Sequence, residues 1–156
     1  MMGNKDFLLR AVWLAKEGIK KGGGPFGAVI VRNGEIISEA INRVVYLNDS
    51  TAHAEILSIR QASKVLGTHS LSDCVLYASC EPCPMCLGAI YWSGIKKVFF
   101  AAGREDAASA GFSDKYICDE INLPVEKRHI ILSQITEVDG IEVFRIWDRF
   151  ENKIPY

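Results

Sequence analysis

CVLYASCEPCPMCLGAIYWSGIKKVFFAA, residues 74–102, is the stretch on which the fold turns. CVLYAS (74–79) and KVFFAA (97–102) are short apolar runs with valine and aromatic residues, and they read as buried strands. Between them the spacing predicts a helix over Pro84–Ser93, because a proline in the first helical turn lacks only an N–H that would have had no partner. Working outward, FGAVIVR (26–32), Asn33-Gly34 and EIISEA (35–40) predict a β-hairpin, since Asn-Gly suits a type I′ turn. Leu8, Ala11, Val12, Ala15 and Ile19 keep helical spacing, and Gly22-Gly23-Gly24 ends that helix. DSTAHAEILSIRQASKVLG (49–67) opens with capping residues and turns helical, and HIILSQ (129–134) reads as a fifth strand. Val143, Ile146, Trp147 and Phe150 form a last amphipathic stripe, followed by a short tail. A hairpin followed by alternating helices and strands implies an α/β fold, a mixed five-stranded sheet with helices on both faces. In such sheets, sites collect where strands end and helices begin.

A chain of 156 residues suits a single domain, here 1–156 with 141–156 as a C-terminal helix and tail. At 49% hydrophobic and 24% charged residues it has an ordinary globular composition. The formal net charge of −1 leaves no electrostatic footprint for a polyanion, so no nucleic-acid partner is expected. The N-terminal MMGNKDFLLRAVW has no apolar signal core, and Phe7 stands where a myristoylation motif needs Ser or Thr. No apolar run reaches the ~18 residues of a membrane span. Five cysteines without a secretion signal point to a reducing compartment, the cytoplasm, where thiols serve as ligands, nucleophiles or fillers.

Cys83 and Cys86, at i and i+3, fall on one face of the expected helix about a turn apart. The positive end of that helix lowers thiol pKa and favours the thiolates a metal needs. Thirty residues before Cys83, TAHAEILSI (51–59) offers His53 and Glu55 at another helix start. Residues i and i+2 of a regular helix point roughly 200° apart, so both can face one cation only at the helix mouth. A capping-box reading of Glu55 needs Ser or Thr three residues earlier, where Ala52 stands. An iron–sulfur reading of Cys80, Cys83 and Cys86 fails because LGAIYWSG follows with no further thiol. A redox pair at Cys83 and Cys86 leaves His53 and Glu55 unexplained, and Cys74 and Cys80 read as buried fillers. His-x-Glu followed by Pro-Cys-x-x-Cys is the known signature of zinc deaminases. Three protein ligands on a tetrahedral zinc leave one position for water, and a carboxylate outside the ligand set can carry its proton.

Essentially the whole chain resembles the bacterial guanine deaminases of the cytidine-deaminase superfamily. The likeness is carried by GGPFGAVIV (23–31), TAHAE (51–55), SCEPCPMCLGAIYW (79–92), DAASAGFSD (106–114) and the tail ending in Tyr156. The resemblance implies a three-layer α/β/α cytidine-deaminase-like fold, one zinc per subunit, and hydrolysis of guanine to xanthine and ammonia. It places zinc ligands on His53, Cys83 and Cys86, a proton shuttle on Glu55, and substrate contacts on Phe26, Asn42, Ala54, Trp92, Asp114 and Tyr156. It also implies a homodimer whose C-terminal segments cross to close each other's active sites.

Four of these contact residues have a structural alternative. Phe26 and Trp92 could stack on a purine or simply fill the core. Asn42 offers a donor and an acceptor to a purine edge or serves as a turn residue. Asp114 could accept ring N–H groups or cap the helix after Ser113. Two other functions stay open. A tRNA adenosine deaminase shares the core from Gly27 to about Ala101, but AAGREDAASAGFSDKY (101–116) is acidic where a basic RNA surface would be expected. A structural zinc module needs a fourth ligand from Cys80, Cys118, His69 or His129, none helpfully spaced, and gives Glu55 no role.

Overall fold

The computed structural model describes residues 3–155, which divide into two compact units that meet between Lys115 and Tyr116. The first unit opens with α1 (Asn4–Lys20), followed by the hairpin of β1 (Gly27–Arg32) and β2 (Glu35–Ile41). Asn33 and Gly34 both have positive φ, 53° and 82°, as a type I′ turn demands. A four-residue helix α2 (Val44–Leu47) and α3 (Ala54–Leu66) lead to β3 (Cys74–Cys80), α4 (Pro84–Trp92), β4 (Lys97–Ala102) and α5 (Arg104–Ser109). The strands lie in the order β2-β1-β3-β4. β1 is antiparallel to β2 and β3, and β3 is parallel to β4.

Alternation along the two central strands sorts the core into two layers. Val29 and Val31 of β1 and Tyr77 of β3 face Phe7, Ala11 and Leu14 of α1. Ile30, Leu76 and Ala78 face the other way, onto Ala62 of α3 and Ile90 of α4. The sheet is therefore covered on both sides, which is a three-layer α/β/α arrangement. Gly27 lets α1 approach very closely, because a Cβ there would stand 2.4 Å from Ala11 O and 2.7 Å from Ala15 N. A buried tie from Ser38 Oγ to Ser58 O, 2.8 Å, joins β2 to α3.

Two expectations change. Among the described residues the sheet has four strands, not five. HIILSQ is irregular, with Ile130, Ile131 and Leu132 exposed. Its second unit contains no described strand, so an apolar run with strand-like composition has no ladder to join. α3 begins at Ala54, after the capping stretch and at the His53–Glu55 helix start that the sequence predicts, and Asp49 Oδ1 accepts from Thr51 N (2.8 Å) in the turn before it. α1 buries the stripe Phe7, Ala11, Leu14, Ala15 and Gly18, a face rotated from the expected one, and leaves Ile19 exposed.

The second unit contains α6 (Lys115–Asn122, whose first residue closes the first unit), a 3-10 turn at Val125–Lys127 and α7 (Glu142–Arg149). Neither α6 nor α7 has a buried residue. Among the described residues no helix is long and apolar enough to cross a membrane.

Candidate active site

Two helix mouths make the centre of the site. His53 is the residue before α3, with extended dihedrals (φ −69°, ψ 154°), and its carbonyl already accepts the first helical bond from Leu57 N at 3.0 Å. Cys83 stands in the same place before α4 (φ −68°, ψ 168°), with Pro84 in the first turn and Leu87 N donating to its carbonyl at 2.8 Å. Because His53 lies outside the helical spiral, the 200° problem does not arise. Its imidazole and the Glu55 carboxyl, at the second position of α3, meet the same pair of sulfurs. The approach is held by Arg43 N donating to Ala52 O at 2.9 Å, with Ala52 fully buried.

The donor atoms suit a tetrahedral zinc. Bonds of about 2.3 Å to sulfur and about 2.0–2.1 Å to nitrogen require S···N separations of about 3.6 Å. His53 Nδ1 lies 3.6 Å from Cys83 Sγ and 3.5 Å from Cys86 Sγ. Among the described residues these three form the group able to hold a metal ion, their donor atoms all within 4.8 Å. Cys80, Cys118, His69 and His129 are not in it. Cys80 Sγ lies 3.6 Å from Gly103 O, and His129 Nδ1 pairs with Glu120 Oε1 at 2.9 Å.

The electrostatics agree. The Cys83 thiol falls to about 4, chiefly through its hydrogen bond with Cys86 and then with His53, against the opposing effect of burial. Cys86 is pushed the other way by the same shared proton, by burial and by Glu55. A cation removes that opposition, since a coordinating thiol is deprotonated outright. The His53 pKa rises, mainly through the hydrogen bond with Cys83. Glu55 is only 6% exposed, and burial, followed by the charge of Cys83, raises its carboxyl above the usual range despite its own backbone hydrogen bond.

The remaining predicted contacts are spread over several elements. Ala54 is buried as the first residue of α3. Phe26 and Asn42 are neighbours: Asn42 N donates to Phe26 O at 3.0 Å, and Asn42 Oδ1 accepts from Val44 N at 3.3 Å. A Cβ on Gly24 would press to 3.2 Å from that Oδ1, so the glycine turn seats the amide. Asn42 also lines a cleft of about 280 Å³ with Lys21, Gly23, Ile41, Arg43 and Tyr46. Asp114 does not cap α6. Ser113 Oγ accepts from Lys115 N (3.4 Å), and the Asp114 carboxylate faces Arg104 Nε at 3.4 Å. Trp92 ends α4, is 72% exposed, and lies about 9 Å along the helix axis from Cys86. Tyr156 lies outside the described residues. Sequence reading missed Arg104 and also Phe112, whose ring meets Phe26 edge-on with centroids 5.1 Å apart. Phe112 belongs to DAASAGFSD, and Arg104 lies just before it, but neither carries a spacing signal.

Residues 1–102 match the cytidine and deoxycytidylate deaminase zinc-binding region. The chain is 55% identical over 156 residues to the guanine deaminase of Bacillus subtilis, covering 99% of this chain and 100% of that protein. The crystal structure of guanine deaminase from Bacillus subtilis superposes with a TM-score of 0.97 over 99% of each chain. A guanine deaminase structure from Nitrosomonas europaea gives a TM-score of 0.70 at 36% identity, covering 73% of this chain and 66% of that one. A tRNA-specific adenosine deaminase of Aquifex aeolicus is 50% identical over 101 residues, 65% of this chain and 67% of that protein.

Proposed function

The chain belongs to the cytidine and deoxycytidylate deaminase family, and from that premise we propose that it hydrolyses guanine to xanthine and ammonia. What carries the substrate reading is the extent of the likeness. It runs past Ala102, through the segment bearing Asp114, to 100% of a guanine deaminase of the same length class. His53, Cys83 and Cys86 hold the zinc, which when bound supplies a Lewis acid that acidifies a water to a pKa of about 7.

The protein groups then divide the work. Glu55 takes one proton from the water and gives it to the ring nitrogen as the oxygen bonds to the amino-bearing carbon; it then takes the second from the resulting hydroxyl and gives it to the amine, so that the C–N bond breaks and ammonia leaves neutral. Its burial suits this role, because a carboxyl raised above its usual range holds a proton between two transfers. The Ala54 N–H, one of the first-turn amides without an intrahelical partner, is a donor for a purine carbonyl. Phe26 and Trp92 stack or edge-pack the flat base, Asn42 presents both a donor and an acceptor to its edge, and Asp114 accepts its N–H groups. A reducing, cytoplasmic setting keeps both sulfur ligands as thiols or thiolates.

The active unit in this proposal is a homodimer in which segment 141–156 crosses to the partner and Tyr156 completes the partner's purine site. Its support is the apolar face of α7, where Val143, Phe144, Ile146 and Phe150 are exposed. The second reading, a tRNA adenosine deaminase, has the Aquifex aeolicus likeness in its favour. Ammonia release from free guanine and from an adenosine-containing tRNA stem-loop separates the two. Release from guanine alone is expected, and release from the stem-loop alone overturns the proposal.

A further inference from the structure

Beside the metal centre, one cation bridges two carboxylates that belong to different parts of the site. The ends of β3 and β4 are joined by Glu81 N donating to Ala102 O at 2.9 Å. Arg104, first residue of α5, donates its backbone N–H to Glu81 Oε2 at 3.3 Å, and its Nη2 stands 3.5 Å from Glu81 Oε1. Both oxygens of Glu81 thus face the same arginine, one at its backbone and one at its side chain. On the other side Asp114 Oδ1 stands 3.4 Å from the guanidinium Nε, an ion pair without hydrogen-bond alignment, and the Asp114 side chain is 13% exposed. These are ion-pair distances rather than tight hydrogen bonds, and a planar fork suits them because it can serve two acceptors lying in different directions.

We propose that Arg104 is a positioning residue: clamped by Glu81, its guanidinium holds the Asp114 carboxylate in place to receive the N–H groups of the purine. Glu81 lies two residues before the ligand Cys83, so the clamp ties base recognition to the loop that carries the metal. Without the guanidinium, the two carboxylates it bridges repel one another, and Asp114 loses the partner that orients it. The inference rests on the reading of Asp114 as a substrate contact.

Steady-state kinetics with guanine on the zinc-loaded enzyme test it through Arg104→Met, Asp114→Asn and the double variant. Arg104→Met should raise KM about tenfold, a modest fraction of the attraction between close charges near a protein surface, with kcat within about twofold and zinc content unchanged. Asp114→Asn should raise KM at least as much, and the double variant should be no worse than Asp114→Asn alone. A merely structural arginine would instead lower kcat, zinc content and melting temperature together. Additive effects in the double variant, or an unchanged KM in Arg104→Met beside a raised one in Asp114→Asn, overturn the inference and leave the Asp114 reading standing. An unchanged KM in Asp114→Asn removes that reading and the inference with it. Should Arg104→Met not fold, Arg104→Lys and Glu81→Gln carry the test: a raised KM at full zinc content supports the clamp, and an unchanged KM in both overturns it.

Discussion

The Glu55 carboxyl is buried beside two sulfurs and an imidazole at the second position of α3, and burial is the largest influence on its pKa. A group so placed can shuttle a proton without binding the metal. Glu55→Gln should therefore keep full zinc content by metal analysis while kcat falls at least ~10²-fold, the usual scale for losing a general acid–base group. Cys86 is fully buried and bonded through its sulfur to the other two donors, so Cys86→Ala should leave the purified protein with little zinc and no turnover. Stripping zinc from the intact protein with a chelator and adding it back should abolish and restore activity, and should lower the melting temperature of the stripped form by linkage. At this scale the ligands were legible because their chemistry is written in short spacings: His-x-Glu, then Cys-x-x-Cys. Arg104, Glu81 and Asp114 were not legible as a cluster, since residues 23 and 10 positions apart meet only through the fold.

Elements bring those residues to one edge of the sheet. His53 and Cys83 each occupy the extended residue before a helix, so the side chains of two helix mouths converge without distorting either spiral. The layer beneath them depends on close contact between α1 and β1. Adding one methyl at Gly27→Ala would drive a Cβ against the backbone of Ala11 and Ala15, which cannot swing aside. That variant should lose about 3 kcal/mol, read as a lower denaturation midpoint at an unchanged m-value. Four strands and the longer helices followed from periodicity and turn chemistry. The short α2 and α5 did not, because four and six residues hold too little pattern to distinguish a helical turn from a loop. HIILSQ misled for the opposite reason: its composition suits a strand, but a strand exists only where a neighbour offers a ladder.

At the scale of the whole molecule, the amphipathic helix α7 keeps its apolar side exposed in the single chain, since none of its residues is buried. If segment 141–156 crosses between subunits, sedimentation should show a dimer, and deletion of residues 153–156 should lower turnover more than zinc content. Mixing that truncated chain with Glu55→Gln should then restore part of the activity, because one site in the mixed dimer receives both an intact Glu55 and an intact partner tail. No restoration would place the tail on its own chain.

The ligand set His53, Cys83 and Cys86, the place of Glu55 at a helix start beside it, the hairpin and the alternation of strands and helices were legible in the sequence alone, because each motif is written in residues a few positions apart. The tertiary structure alone decided which face of α1 is buried, that HIILSQ stays out of the sheet, and that Arg104 stands between Glu81 and Asp114. Those outcomes depend on which distant segments come within a few ångströms of one another. No local pattern of apolarity or charge specifies that choice, since burial and ion pairing are properties of the neighbours as much as of the residue.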